Sequence, residues 1–406
     1  MIRSHVIKLD PTCKQKAQFR QAVGTARFAF NWALNQWRTQ YAAGDKPSEG
    51  NLRKQLNAVK ETEFPWMLNS PKSVVQQAVK NLGIAYQNFF ASCKGTRAGK
   101  KMCAPDFKSK HTSKQSARFD NGPDTFSCDG KSIKLPKVGT VKMHEALRFD
   151  GKPLSAVVSF VGGRWWVSVQ VEIPDKPIHT EHKPSVGIDL GLITALTLST
   201  GEKFYAPKPL KAALEKLRRL QQNLARKVKG SANRKKAALL VARCHWRVGQ
   251  IRKDWQHKIT GAIDKRFGLA CVEDLNVRGM MTNHCLARSI ADIGWSEIGR
   301  QLQYKCDVVQ EVGRFFPSSK LCSSCGVRSD DVGSLNVRAW SCTACGATHD
   351  RDQNAAINIL NEGCKLFAAS CAVSACGGVS SGPGRKTKTK LVPTKQELSS
   401  RLNATL

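Results

Sequence analysis

Residues 321–360, LCSSCGVRSDDVGSLNVRAWSCTACGATHDRDQNAAINIL, contain two Cys-x-x-Cys pairs. The first pair is Cys322 and Cys325, and the second, after sixteen intervening residues, is Cys342 and Cys345. This spacing is typical of a four-cysteine zinc site. Four thiolates close a tetrahedral shell and leave no open position for a substrate, so we predict one structural Zn²⁺. The alternative is that two pairs arose by chance among the fifteen cysteines of the chain.

The charge is the most unusual feature of the composition. The 406 residues include 65 Lys and Arg against 31 Asp and Glu, a formal net charge of +34. Self-repulsion on that scale indicates a polyanionic partner, and nucleic acid is the leading candidate. We expect two or three domains at this length. No run of about 18 apolar residues is present and the N-terminus has no apolar signal core, so we predict a cytoplasmic protein without a membrane partner.

The first half of the chain predicts a β domain with helices inserted after its first strand. Residues 2–9 alternate between apolar and polar side chains, as strands do. Helical periodicity follows in three segments, residues 13–41, 51–59 and 71–90. Short β segments then run to residue 173, with a hairpin signal at Gly162-Gly163. The pattern fits a small barrel or a sandwich.

The second half begins after a linker rich in proline and charge, residues 174–184, and opens with apolar strands. Two long helices are predicted over residues 210–229 and 234–267, separated by a hinge at Gly230. Acids are nearly absent between residues 216 and 253, which favours phosphate binding over a merely solvated helix face. The basic residues expected to contact nucleic acid are Arg218, Arg219, Arg226, Lys227, Lys235, Lys236, Arg247 and Arg252.

Three acids stand where acids are not expected. Asp189 and Glu273 interrupt apolar strands, and Asp352 lies at the start of an apolar helix. A buried carboxylate without a partner is costly, so each needs a cation, a metal or a set of hydrogen bonds. Asp352 could instead be only a helix N-cap. Brought together, the three acids would suit two Mg²⁺ ions acting on a phosphodiester, which predicts a metal-dependent nuclease or recombinase.

The order of these motifs resembles a known family. GIDLG at residues 187–191, VEDL at residues 272–275, the four-cysteine ribbon and HDRDQNAA at residues 349–356 look like the split RuvC nuclease motifs of the TnpB family. These proteins are transposon-encoded RNA-guided DNA endonucleases, related to type V CRISPR effectors. The similarity extends from Ile2 to about Leu360.

The resemblance implies a multidomain α+β fold. A wedge β-barrel with a helical recognition insert would be followed by an RNase H-like RuvC nuclease domain that a zinc ribbon interrupts. The implied boundaries are residues 1–12 for the wedge strand, 13–110 for the helical recognition insert, 111–180 for the wedge β-barrel, 181–320 for the RuvC domain with its basic helices, 321–347 for the zinc ribbon, 348–365 for the final RuvC segment and 366–406 for a basic, disordered tail.

The resemblance also implies an activity. Asp189, Glu273 and Asp352 match the three catalytic acids of the family and would bind two Mg²⁺ or Mn²⁺ ions. The partners would be a guide RNA from the transposon end and double-stranded target DNA, cut by a single RuvC site next to a short transposon-adjacent motif. The protein would act as a monomer within its ribonucleoprotein in a prokaryotic cytoplasm, on the nucleoid when bound to DNA. The positions that fall where the family reads the adjacent motif are Lys72, Gln76, Phe119 and Asn121.

Two alternatives share these features. One is an RNA-guided DNA-binding regulator that does not cleave, and the presence of all three acids argues against it. The other is a protein-only recombinase or junction resolvase with the same RNase H-like site, which would not carry a bound structured RNA.

Overall fold

Two units, each with its own sheet and helices, make up the computed structural model. It describes residues 1–97, 99–110, 113–120, 126–174, 183–329 and 337–376. The first unit comprises Met1–Pro177 and Val228–Arg243, and the second comprises Ile178–Lys227 and Cys244–Leu406. Most of the expected linker, Asn121 and the tail beyond residue 376 lie outside the described residues. The combination of helices and sheets is the α+β class that the sequence predicts.

The first unit is built on an antiparallel sheet with the strand order β2-β6-β7-β1-β5-β4-β3. Side chains of β7 alternate between buried and partly exposed, which places Val167, Val169 and Val171 in the core. The predicted hairpin is confirmed, because Gly162 and Gly163 connect β6 to β7 with φ angles of 59° and 78°. The strands are β1 (Ile2–Asp10), β2 (Ser116–Asp120), β3 (Ser127–Asp129), β4 (Ser132–Leu135), β5 (Gly139–Met143), β6 (Lys152–Val161) and β7 (Arg164–Glu172).

Helices follow the first strand, as the sequence predicts. They are α1 (Cys13–Ala42), α2 (Glu49–Val59), a short 3-10 helix (Pro65–Asn69) and α3 (Lys72–Cys93). Thr12 and Gln15 form a reciprocal capping box at the start of α1. Trp37 of α1 stacks on Tyr86 of α3 with ring centroids 4.3 Å apart. Both rings are buried, so they belong to a core between the helices and are not base-stacking surfaces.

The second unit is built on a mixed sheet with the order β10-β9-β8-β11-β12. β8, β11 and β12 are mutually parallel, while β9 and β10 run antiparallel to their neighbours. The apolar runs at β8 and β11 are buried, as central strands of a covered sheet should be. The strands are β8 (Ser185–Asp189), β9 (Leu196–Leu198), β10 (Lys203–Phe204), β11 (Leu269–Glu273) and β12 (Val308–Val312).

The helices of the second half differ from expectation at two places. The sequence pattern predicts a helix over residues 293–305, and the helix found there begins two residues later, at Trp295, because Gly294 has a φ of 73° and separates it from the preceding helix. Periodicity weakens after Ile359, yet the last helix continues to Cys376. The helices are α4 (Pro209–Ala225), α5 (Ala232–Arg266), α6 (Val277–Met280), α7 (Ala287–Ile293), α8 (Trp295–Lys305) and α9 (Arg351–Cys376). Within the described residues, none is long and apolar enough to cross a membrane.

Asp292 has a structural role at the start of α4. It is buried, and its two carboxylate oxygens accept hydrogen bonds from the backbone N–H groups of Leu210 and Lys211, each at 3.0 Å. The first N–H groups of a helix have no partner within the helix, and Lys208, the residue before α4, provides no side-chain cap. An acid distant in sequence therefore caps α4, and the Arg252 guanidinium, 3.2 Å away, balances its charge.

Candidate active site

Two of the three predicted acids lie at the same edge of the second sheet. β8 ends at Asp189 and β11 ends at Glu273. The strands are parallel neighbours with Ile188 opposite Val272, so their carboxyl ends coincide. That edge of a parallel sheet is where ligands commonly bind.

The third acid is brought to the sheet by α9, which packs across β8, β11 and β12. Two glycines permit this approach. A Cβ at Gly187 would lie 2.0 Å from the carbonyl oxygen of Ala356, and a Cβ at Gly363 would lie 2.4 Å from Cys271 Sγ. Asp352 is one helical turn before Ala356. Gly187 in the GIDLG motif is thus explained by close packing of a strand against the helix that carries Asp352.

Gly187→Ala is expected to destabilise the fold by about 3 kcal/mol, because the new methyl group would overlap the backbone of α9. The matched control is Gly299→Ala on α8, where a Cβ would have open space. That change should leave stability equal or slightly higher, since alanine is the better helix former. Thermal or denaturant unfolding checks both variants. Equal stabilities for the two would contradict the close approach of α9 to β8.

Burial makes the charged forms of two of the three acids, Asp189 and Glu273, unfavourable without a cation. Burial raises the pKa of Asp189 to about 7, and the charges of Asp352 and Glu273 contribute to that rise. Burial also raises the pKa of Glu273. The positive charge of Arg351 opposes the shift of the Asp189 pKa without cancelling it. A half-buried carboxylate with two acidic neighbours has the properties of a ligand for a divalent cation.

In magnesium-free buffer, Asp189→Asn is expected to be more stable than the wild type at pH 8, by up to about 4 kcal/mol. The folded pKa of about 7 exceeds the ordinary value of 3.8. The protonated carboxyl therefore favours the folded state at low pH, and this contribution is lost as the pH rises through 7. The advantage of the asparagine should shrink towards pH 5. Denaturant titrations at both pH values test this, and a pH-independent difference would contradict it.

Asp350, and not Asp352, caps α9. Asp350 Oδ1 accepts a hydrogen bond of 3.0 Å from the backbone N–H of Gln353. Its other oxygen accepts from Lys203 Nζ at 2.7 Å. Burial alone would raise the pKa of Asp350, but these two hydrogen bonds hold it below its ordinary value. The N-cap role that the sequence left open for Asp352 thus belongs to its neighbour.

Asp352 lies in the first turn of α9. Its side chain is 19% exposed, and Oδ1 lies 3.3 Å from Nη1 of Arg338 in the ribbon. The structure therefore brings Asp352 and Glu273 near enough to Asp189 to raise its pKa. Among the described residues, only the four cysteines form a group of three or more candidate ligands whose atoms all lie within 4.8 Å. The three acids are more widely spaced than that.

The four cysteines form a compact cluster that fits a tetrahedral metal ion. Cys322 Sγ lies 3.7 Å from Cys345 Sγ, and Cys325 Sγ lies 3.7 Å from Cys342 Sγ. A tetrahedral shell with Zn–S bonds of about 2.3 Å places neighbouring sulfurs about 3.8 Å apart. His349 Nε2 lies 3.1 Å from Cys322 Sγ, at the margin of the cluster.

Both Cys-x-x-Cys pairs have the same backbone shape. Gly326 and Gly346, directly after each pair, have φ angles of 74° and 75°. Each glycine N–H donates to the carbonyl of the first cysteine of its pair at 2.8 Å. The glycines allow the turn that points both sulfurs of a pair inward. A strand pair, β13 (Ala339–Ser341) and β14 (Thr348–Asp350), connects the second pair to α9.

Two buried asparagines, which the sequence analysis did not single out, join the first cysteine pair to α9. Asn354 donates to the carbonyl of Leu321 at 2.7 Å and accepts from the N–H of Ser323 at 2.9 Å. Asn358, one turn later, donates to the carbonyls of Ser318 and Leu321. The sequence signal was present, as two amides four residues apart on an apolar helix. They fix α9, and with it Asp352, to the ribbon.

The predicted nucleic-acid contacts have different environments. Most of the basic residues on α4, α5 and the turn between them are exposed. Arg252 is half-buried, and its guanidinium pairs with Asp292. The exposed residues are Arg218, Arg219, Arg226, Lys227, Lys235, Lys236 and Arg247.

The four positions assigned to the adjacent motif also differ. Lys72 is exposed at the start of α3, and Gln76, one turn later, is half-buried. Phe119 is 0% exposed in the core of the first sheet. Its ring is therefore not available to a base in this structure. Asn121 lies outside the described residues.

The fold belongs to a class that is known from solved structures. The chain matches the "Cryo-EM structure of the Cas12f1-sgRNA-target DNA complex" with a TM-score of 0.50 and 15% identity, over 84% of this chain and 82% of that one. At this identity the likeness concerns the fold alone. It shows a mixed α+β fold similar to that of a Cas12 effector.

Three stretches match described families. Residues 168–284 match OrfB_IS605, described as "Probable transposase", and residues 295–359 match the TNB domain of Cas12f1-like proteins. The second stretch contains all four cysteines and Asp352. Residues 1–46 match the helix-turn-helix domain of OrfB_IS605. In the structure they form a strand and one long helix.

Full-length relatives show the family. A "Putative RNA-guided DNA endonuclease" of Streptomyces pristinaespiralis is 36% identical over 407 residues, covering 97% of this chain and 96% of that protein. The "Putative RNA-guided DNA endonuclease InsQ" of Escherichia coli (strain K12) is 32% identical over 426 residues, covering 100% and 99%. The chain therefore belongs to the OrfB_IS605, or TnpB, family, which confirms the resemblance read from the split motifs.

Proposed function

We propose that the protein is a metal-dependent, RNA-guided DNA endonuclease. One observation carries the proposal: two parallel strand ends and one helix start place three acids near each other, and burial with mutual repulsion raises the pKa of Asp189 to about 7. Such a group of acids suits a divalent cation, and the net charge of +34 indicates a polyanionic substrate. The names of the full-length relatives support the same activity.

We assign the second unit to an RNase H-like RuvC nuclease domain. Its strand order, with a central parallel β8, an antiparallel β9 and β10 on one side and parallel β11 and β12 on the other, supports the assignment. The ribbon lies between β12 and α9 in the chain, where the sequence places an insertion. The first unit, with helices between β1 and β2, is proposed as the wedge domain with its recognition insert.

The chemistry assigns distinct tasks to the residues. Asp189, Glu273 and Asp352 would hold two Mg²⁺, which when bound activate a water and neutralise the charge on a phosphodiester. Asp350 and Lys203 fix the first turn of α9 and so orient Asp352. The cysteines would hold a single Zn²⁺ whose shell is closed, so it folds the ribbon and takes no part in hydrolysis.

Guide RNA and target DNA are the proposed partners. The exposed cations on α4 and α5 would bind phosphates, while base pairing with the guide would supply sequence specificity. Lys72 and Gln76 share one face of α3 and are proposed to read the adjacent motif. Phe119 would contribute by supporting the sheet behind that face, since its ring is buried. The chain is proposed to act as a monomer within this complex.

The test is reconstitution. The protein is expressed with the DNA that flanks its coding sequence, purified, and any RNA bound to it is sequenced. A plasmid library is then made in which a target that matches that RNA is flanked by randomised bases. We expect Mg²⁺-dependent double-strand cuts only in plasmids that carry the target and one short flanking motif. Cutting of branched DNA by RNA-free protein would instead support a resolvase, and binding without cutting would support a regulator.

A further inference from the structure

A tight turn after β12 carries two consecutive phenylalanines, one exposed and one packed against the core. The N–H of Phe316 donates to the carbonyl of Gly313 at 3.0 Å, which closes the turn. Phe316 packs against the buried cluster that includes Val312 and Ile359. Phe315, at the tip, is 95% exposed, the highest value among the large apolar side chains of the described residues.

This turn lies at the edge of the sheet that carries the acids. β12 is parallel to β11, and its last residue, Val312, is opposite Glu273. Phe315 is three positions after Val312, so their Cα atoms lie within about 11 Å of each other. The turn that carries the exposed ring therefore starts beside the strand end that supplies Glu273.

The turn is tied firmly to that strand end. Arg314 donates to the carboxylate of Asp274 at 2.7 Å and to the backbone carbonyl of Asp274 at 3.2 Å. The N–H of Asp274 in turn donates to the carbonyl of Val312 at 3.0 Å. Asp274 directly follows Glu273. The backbone that carries Phe315 is thus tied to the residue beside a proposed metal ligand.

Phe315 contributes little to the stability of the fold. An aromatic ring stabilises a protein chiefly through the 150–250 Å² that it buries, and this ring buries almost none. Lysine and arginine side chains contact phosphates, whereas a flat apolar ring suits the face of a base. In a single strand held at the acids, a base beside the scissile phosphate is free to stack on an aromatic side chain.

We propose that Phe315 is a stacking platform for a base of the DNA strand at the cleavage site. The proposal rests on the proposed function and adds a contact that positions the scissile phosphate against the acids. Because every base has a π face, the contact would tolerate any sequence, as a guided nuclease requires.

The first experiment compares Phe315→Ala, Phe315→Leu and Phe315→Trp in the ribonucleoprotein under single-turnover conditions. Removing one base–aromatic stack should lower the cleavage rate about tenfold to a hundredfold in the alanine and leucine variants. Tryptophan should keep the rate within about threefold of wild type. Guide binding and thermal stability should be unchanged in all three. Tyr41→Ala, at another ring that is 62% exposed, is the control and should cleave like wild type.

The second experiment pairs these variants with target strands that lack a single base near the cut. In the wild type, one abasic position should lower the rate about as much as Phe315→Ala does, and in Phe315→Ala that position should have no further effect. Independent, additive losses would overturn the proposal, as would full activity of Phe315→Leu. If the wild-type complex does not cut at all, the proposed function fails instead, so the two failures are distinct.

Discussion

Asp189→Asn is expected to lower the rate of DNA cleavage about a thousandfold or more while guide RNA still binds with wild-type affinity. The substitution keeps the size of the side chain but removes the charge that would hold a divalent cation. Charge stabilisation by a metal is worth several kcal/mol, and each 1.4 kcal/mol is a factor of ten in rate. Single-turnover cleavage and filter binding of the guide provide the two measurements.

The matched control is Glu202→Gln, which also converts an acid to its amide in the second unit. Glu202 pairs with Arg266 at the surface, and both side chains are nearly half exposed. Its loss should leave cleavage close to the wild-type rate, because exposed ion pairs contribute little. Cleavage by Asp189→Asn at the wild-type rate would show that Asp189 takes no part in the reaction. It would indicate that a contaminating nuclease cuts the DNA and that this protein only binds it.

Cys342→Ser is expected to remove the zinc, lower the melting temperature and reduce cleavage about tenfold to a hundredfold. Cys342 is buried at the centre of the small core that the ribbon forms with Trp340. Without the metal this core is too small to stay folded. The hydrogen bonds that Asn354 and Asn358 make to the ribbon would then be lost, and the start of α9 would be held less firmly, with the Asp350–Lys203 pair as a remaining polar contact outside the ribbon.

Metal analysis, thermal unfolding and cleavage assays check this prediction in parallel. Cys285→Ser, at an exposed cysteine outside the cluster, is the control and should retain the zinc and its activity. Normal cleavage by a zinc-free Cys342→Ser variant would show that the ribbon does not position Asp352. Retention of the zinc by that variant would contradict the assignment of the four ligands.

The acids could be found from the sequence because they violate a local rule. An acid in an apolar strand has few structural explanations, so Asp189 and Glu273 stand out without any knowledge of the fold. The two cysteine pairs stand out through their spacing. The strand pattern also indicates the central sheet, because buried parallel strands are short apolar runs.

Features that depend on partners distant in sequence could not be found in this way. Nothing near Asp292 shows that it caps α4, since the helix begins more than eighty residues earlier. The separate roles of Asp350 and Asp352 depend on the residue at which α9 begins. A sequence pattern does not define the start of a helix to within one or two residues. Phe119 matched a motif position by its place in the chain, but its side-chain direction is set by the pairing of β2 with β6. A shift of one residue in a strand reverses that direction.

The attachment of α9 to the ribbon has a consequence for synthesis. A ribosome releases β8 and β11, with Asp189 and Glu273, long before Asp352 leaves the exit tunnel. The sheet can therefore fold around two acids while the third is still being made. If the ribbon folds only with its proposed zinc, Asp352 would reach its place after the ribbon has emerged and bound that metal. On the proposed function, a nascent or metal-starved chain would then be unable to cut DNA, because the third proposed metal ligand would not yet be in position.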